Sequence, residues 1–308
     1  MVEQEIKSVE IVEVSPRDGI QNQPKILSMD TKVALIEKAI AAGARRIEAV
    51  SFVNPKRVPQ MAGAEELLDR LPRGAARYIG LVLNQRGFER AIRTPLDEVN
   101  FVVVASDTFN QRNQGASTAD TIGVWENIAA EARGTVATSV TVGAAFGCPF
   151  EGEVPIDRLL HVVDAVMAHS PHELALADTI GVAAPTDIEA RVSAVRTRFP
   201  DVPLRLHLHN TRNTGIANAY AAIKAGVAVL DSSLAGSGGC PFAPRATGNI
   251  ATEDLVYMLD RAGIETGMDL DALCDAARWL EDALDNTMPG MVMKAGGFPA
   301  EAPVQSAA

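Results

Sequence analysis

Short runs rich in Val, Ile and Leu alternate with longer helical patterns from one end of the chain to the other. The runs are Ser8–Ser15, Arg46–Phe52, Arg77–Leu83, Glu98–Ala105, Ser139–Ala145, Glu173–Ala177, Leu204–Leu208 and Ala228–Ser232. Each spans about four to eight residues, the length of a strand buried on both faces. Between them lie amphipathic stretches such as Asp30–Ala42, in which Val33, Ile36 and Ile40 recur at helical spacing. Asp30 is read as the N-cap of that helix, and Gly43 closes it. Further helices are expected at Ala64–Leu71, Thr118–Arg133, Ile156–Ala168, Thr186–Arg198, Ile216–Lys224 and Thr252–Ala262. Eight strands with intervening helices predict a (β/α)8 (TIM) barrel in the α/β class. A doubly wound sheet is the alternative, but Pro16-Arg17-Asp18-Gly19, and no glycine-rich fingerprint, follows the first strand. The barrel is assigned to residues 1–266 and a short C-terminal helical extension to 267–308, with a helix at Met268–Asp285 and a loosely ordered tail from Pro289.

Composition narrows the functions open to such a barrel. The 308 residues carry 28 Lys and Arg against 39 Asp and Glu, a formal charge of −11. Nucleic-acid and anionic-membrane binding both need a basic face, so neither partner is expected. An anionic substrate would need local positive charge from a metal or a few arginines. The cysteines Cys148, Cys240 and Cys274 are too few and too scattered for a disulfide framework. Residues 1–14 lack the apolar core of a signal peptide and are too acidic for a transit peptide, and no apolar run approaches a membrane span. A cytoplasmic, bacterial protein is the expectation.

Barrel enzymes place their chemistry at the carboxyl ends of strands, where this chain is rich in polar residues. The first strand ends at Arg17-Asp18, which is either an ion pair closing the barrel mouth or part of a site. The second carries Glu48 and Ser51, and the sixth ends at Asp178-Thr179. The seventh contains His207 and His209, whose i, i+2 spacing sends both imidazoles to one face. Two imidazoles beside a carboxylate make a divalent-metal site, although His-x-His alone does not require one. His161, His169 and His172 are read as solvated surface. After the eighth strand, Gly236-Ser237-Gly238-Gly239-Cys240-Pro241 is either a long βα loop with a free thiol or a mobile loop whose backbone approaches a ligand closely. Cys148 lines the site or is a structural thiol, and Cys274 falls in a helical pattern as core.

Together these segments resemble the 3-hydroxy-3-methylglutaryl-CoA lyase family. The likeness is carried by Arg17-Asp18-Gly19-Ile20-Gln21-Asn22, by residues 48–56, by Ala177–Gly181, by the His-x-His pair, by Gly236–Phe242 and by Gly248–Leu259. It runs from about Val9 to Gly267. The resemblance implies a Mg2+ or Mn2+ ion held by Asp18, His207, His209 and Asn249. It implies that Arg17 stabilises an enolate oxygen, and that Cys240 moves a proton as general acid/base. Glu48 and Asp178 would position Arg17, the ligands and ordered water, and Glu253 would steady the Cys240 loop. The implied reaction is retro-Claisen cleavage of 3-hydroxy-3-methylglutaryl-CoA to acetyl-CoA and acetoacetate, by a chain expected to be homodimeric. Lys25, Lys56 and Arg57 are candidates for CoA phosphates or solvated surface.

The chain also departs from the family. Where most of these lyases follow His-x-His with Asp-Thr-Tyr-Gly, it has Asn210-Thr211-Arg212-Asn213-Thr214-Gly215. Ser237 replaces a usual Leu, and Ala175 a common Ser. The Asn210–Asn213 exchange places an amide and a cation beside the expected metal. It favours, as the alternative, a related lyase or aldolase acting on a different 3-hydroxyacyl-CoA or 2-oxo acid. Arg212 is read either as surface or as a carboxylate-binding group. A non-catalytic barrel would leave the meeting of so many chemistry-bearing residues at strand ends unexplained.

Overall fold

The computed structural model describes residues 6–239 and 248–299. Eight parallel strands close in sequence order: β1 (Glu10–Glu13), β2 (Arg46–Ser51), β3 (Arg77–Val82), β4 (Glu98–Val104), β5 (Ala137–Gly143), β6 (Glu173–Asp178), β7 (Leu204–Leu208) and β8 (Val229–Ser232). This is the expected TIM barrel, with every strand edge within about two residues of its sequence assignment. A helix follows each strand on the outside, and residues 270–284 and 292–295 add C-terminal helices. Among the described residues no helix is long and apolar enough to cross a membrane.

Two sequence readings need correcting. The helix Met29–Ala41 is capped by Ser28, whose hydroxyl accepts from Thr31 N at 3.1 Å. Asp30 lies inside that helix and pairs with Arg70 at 2.5 Å. The chain from Pro289 is not loose as far as it is described. Met291 N and Val292 N donate to Asp254 at 3.0 and 2.7 Å, and Met293 is buried. Two short helices, Gln85–Ala91 and Asp107–Gln114, were not anticipated.

The strands divide apolar and polar side chains between their two faces. Ile47, Val99, Phe101, Val140, Leu174 and Leu206 belong to the large core shared with the helices. The interior differs: inward positions two apart carry Arg46 and Glu48, Glu98 and Asn100, Ser139 and Thr141, and Arg205 and His207. Only Val12, Val14 and Ile79, with Val229 against them, form a separate small apolar cluster. Arg46 binds both Glu98 and Glu173 through pairs of hydrogen bonds at 2.8–3.1 Å and reaches Glu10 at 3.3 Å. Ser139 donates to Glu98 at 2.5 Å. The charges are neutralised where they lie, which is the condition for burying them.

Arg46→Met leaves Glu98 and Glu173 short of their shared cation in a dry interior. We expect a loss of about 3–5 kcal/mol, read from urea unfolding. A change below about 1 kcal/mol would show that the network carries little of the fold's stability.

Candidate active site

The first strand delivers Arg17 and Asp18 through a tight turn, Ser15–Gly19, in which Arg17 N, Asp18 N and Gly19 N all donate to Val14 O. Arg17 bonds Glu48 through Nε and Asp18 through Nη1, the latter at 2.5 Å. Glu48 also accepts from Asn100 at 2.9 Å, and Thr141 donates to Asn100 Oδ1 at 3.0 Å. The guanidinium is therefore held in one orientation at the floor of a cavity of about 170 Å3.

One donor atom each from Asp18, His207 and His209 lies within 4.8 Å of the others. His207 Nδ1 is 3.0 Å from Asp231 Oδ2, so its other nitrogen faces into the cluster. That Nε2 is 3.0 Å from His209 Nε2 and 3.9 Å from Asp18 Oδ2. With Asp231 accepting from His207 Nδ1, the two Nε2 atoms and a carboxylate converge, an arrangement that a shared proton or a cation satisfies. The donor set fits a divalent cation. Asn249 joins from the far side, with its Nδ2 donating to Asp18 at 2.8 Å and to Ser237 O at 2.9 Å.

The electrostatics agree with this arrangement. Burial raises the Asp18 pKa, but Arg17, the two imidazoles and the Asn249 amide outweigh it and hold the carboxyl well below its usual range. Burial, together with the neighbouring His207, pushes His209 down to about 3, which keeps its ring neutral and able to coordinate. His207 moves the other way: burial disfavours its charge, but Asp231 more than compensates.

The loop after β8 begins at Leu234–Gly236 and returns at Gly248. Gly238 and Gly248 have φ of +112° and +102°, and a methyl on Gly248 would strike Gly238 O. This close approach brings Asn249 beside Asp18. Cys240, the expected proton carrier, lies outside the described residues.

The remaining expected residues fall around this centre. Glu48 accepts from Arg17 Nε and is buried. Asp178 is buried and accepts from Val182 N and Ala183 N at 2.9 and 3.1 Å, fixing the chain after β6. Glu253 is buried and accepts from Ala235 N at 3.0 Å at the base of the β8 loop. Cys148 is buried 3.0 Å from Ser106 Oγ and does not line the cavity. Lys25, Lys56 and Arg57 are exposed.

The departure at 210–213 turns away from the centre. Asn210 Oδ1 accepts from Gly215 N at 3.0 Å at the start of the next helix. Arg212 donates to the carbonyls of Ile180 and Gly181 at 3.0 and 2.8 Å, and neither side chain lines the cavity. The carboxylate-binding reading of Arg212 is not what this geometry shows; the side chain ties two loops together.

A family model described as HMGL-like matches residues 8–280. The chain belongs to the HMGL-like family. It is 46% identical over 303 residues to the (R)-citramalyl-CoA lyase of Chloroflexus aurantiacus, covering 94% of this chain and 96% of that one. It is 37% identical over 285 residues to a hydroxymethylglutaryl-CoA lyase of Bacillus subtilis, covering 92% and 95%. Among solved structures, an HMG-CoA lyase from Acinetobacter baumannii in complex with coenzyme A and 3-methylmalate superposes with a TM-score of 0.93. That pair is 37% identical, and the match covers 99% of this chain and 100% of the other. Family membership makes the chain a carbon–carbon lyase of the kind that acts on acyl-CoA thioesters.

Sequence reasoning missed Asp231, Asn100 and Thr141, all of which line the cavity of this HMGL-like barrel. The available signal was a polar residue at every second position of otherwise apolar strands.

Burial, with Asp254 and Glu13 nearby, raises Glu253 from 4.5 to about 8. The folded protein then keeps a proton that the unfolded chain releases, so stability falls as pH rises from 4.5 to about 8. The slope from this one group is about 1.4 kcal/mol per pH unit. Glu253→Gln should gain on wild type across that interval in urea midpoints. A difference independent of pH would show Glu253 ionised in the fold.

Proposed function

We propose that the protein is a divalent-metal-dependent lyase that cleaves a short, carboxylate-bearing 3-hydroxyacyl-CoA to acetyl-CoA and a keto acid. The observation that carries this reading is the convergence of Asp18, His207 and His209 beside a pinned arginine in one cavity. Asp18, His207, His209 and Asn249 would hold Mg2+ or Mn2+, which when bound lowers the cost of ionising the substrate hydroxyl.

The chain's own residues account for the rest. A base takes the proton of the C3 hydroxyl, a role the family resemblance gives to Cys240; the C2–C3 bond breaks, its electron pair passes into the thioester enolate, and the proton taken from O3 balances the one delivered to C2. Arg17 cannot lose its own proton and is held by Glu48 and Asp18, so it meets the enolate oxygen without reorganising. Protonation at C2 completes acetyl-CoA, a step assigned to Cys240 on the family resemblance. Asp178 and Glu253 support by fixing the chain after β6 and after β8.

For the acyl group we favour (R)-citramalyl-CoA, which would give pyruvate as the second product. The support is the 46% identity to a citramalyl-CoA lyase, against 37% for the bacterial hydroxymethylglutaryl-CoA lyase. Among the described residues, Arg17 is the only arginine or lysine that lines the cavity. The substrate's free carboxylate must then meet neutral donors or share the bound cation, which suits a carboxylate on the same carbon as the hydroxyl. 3-Methylmalate, bound in the Acinetobacter structure, is a hydroxy diacid isomeric with citramalate. The second reading is 3-hydroxy-3-methylglutaryl-CoA, supported by the metal and arginine positions being filled as in that family.

Metal-loaded protein should be incubated with each thioester, and pyruvate and acetoacetate measured separately. Pyruvate from (R)-citramalyl-CoA is expected; acetoacetate alone would establish the second reading, and neither product would overturn the lyase assignment. Activity should vanish with a chelator and return with Mg2+ or Mn2+. Arg17→Met should lower kcat by about 100- to 1,000-fold while Mn2+ binding persists. A smaller loss would remove Arg17 from the role of oxyanion stabiliser.

A further inference from the structure

Below the cavity floor, Arg205 lies on β7 two residues before His207 and is fully buried. Its Nη1 donates to Asp231 Oδ1 at 3.0 Å, and its Nε forms an ion pair with Glu173 at 2.9 Å. A longer contact of 3.4 Å joins Nη2 to Ser139 Oγ. Asp231 divides its two oxygens, one to Arg205 and the other to His207 Nδ1 at 3.0 Å. Glu173 cannot follow a moving Arg205, because Arg46 grips both of its oxygens at 2.8 Å. A single line of contacts therefore runs from the bottom of the barrel to a residue of the metal cluster. A buried arginine used only as filler is poorly explained, since an apolar side chain of similar volume fills such space at lower cost.

We propose that Arg205 is a positioning residue for the metal site, acting through Asp231 to fix the ring plane and tautomer of His207. The proposal rests on the metal-binding reading of Asp18, His207 and His209. Arg205 touches neither the cavity nor the cluster. Its fork spans Glu173 and Asp231 together, a geometry a lysine cannot reproduce. Without it, Asp231 Oδ1 loses its partner, the carboxylate is free to turn, and His207 Nε2 no longer points reliably at the cluster. Partners of this kind behind a ligating histidine typically change metal affinity by about 10- to 100-fold.

The test is Mn2+ binding by the full chain, followed by the electron paramagnetic resonance signal of the free ion, with folding checked by circular dichroism. Wild type should bind, and Arg205→Met and Asp231→Asn should each bind about 10- to 100-fold more weakly. The double variant should be no weaker than the weaker single, because both act through one line of contacts. Arg205→Lys should fall between wild type and Arg205→Met. If folded Arg205→Met binds Mn2+ like wild type, Arg205 serves packing alone and the proposal fails. Should Arg205→Met not fold, wild-type affinity in either Arg205→Lys or Asp231→Asn overturns it equally. Wild type that binds no Mn2+ would overturn the metal-site reading as well, which separates the two failures.

Discussion

The structure depends on the pairing of charges inside the barrel. Arg46 and Arg205 stand among Glu98, Glu173 and Asp231, all nearly or wholly buried. Burying ions is costly unless each meets its counter-charge in good geometry, and here the forks of two arginines meet three carboxylates. TIM barrels more often fill this space with branched apolar side chains. Apolar strand residues such as Ile47, Phe101 and Leu206 instead pack in the core shared with the helices, while Leu81, Val102 and Val104 line the cavity, so ion pairing sets the interior beneath it. A floor built from forked, directional contacts resists small shifts better than aliphatic packing does, and this floor carries His207, Asp231 and Asn100 into the cavity.

The mouth is held by a different device. Glu13 accepts from Ser15 N, Leu234 N and Thr252 Oγ1, joining the end of β1 to both sides of the β8 loop. Glu253 supports Ala235 from beneath, and Gly290 N from the C-terminal segment donates to Ala235 O at 3.0 Å. The C-terminal extension is thus part of the scaffold of the site, since it packs on the turn from which the glycine-rich loop departs. Its distance in sequence from Arg17 and Asp18 conceals how near it sits to the segment that carries Asn249.

The barrel was legible because its strands are short, apolar and regularly spaced, and because a period of two is visible in His207 and His209. The helix Asp107–Gln114 was not, since Phe109 is its only strongly apolar residue and it shows no stripe. Asp30 looked like a cap because Asp favours that role, but Ser28 lies one residue before the first helical position and took it. At the site, residue types revealed the ligands but not the direction of their neighbours. Asn210 and Arg212 sit next to His209 in sequence, yet the chain turns outward at once and spends both on loop contacts. Asp231 was hidden for the opposite reason: it lies in an ordinary strand end, and only the parallel pairing of β8 with β7 sets it opposite His207.

The charge balance of the site bears on what must occupy it. Asp18, Glu48 and Asp231 surround the cavity floor, answered by Arg17 and by Arg205 behind it. Both imidazoles are needed neutral if they are to coordinate, so these fixed charges leave the floor with a slight excess of acid. A CoA thioester bearing a free carboxylate is itself an anion, and the chain as a whole carries −11. Such a substrate would be repelled from a floor of this composition unless a cation reversed the sign locally. An ion held by Asp18, His207 and His209 would place that reversal next to Arg17, the one guanidinium among the described residues that lines the cavity. On the proposed reading, metal binding and substrate binding would be linked by charge, the ion favouring entry of the anion as well as cleavage of the bond.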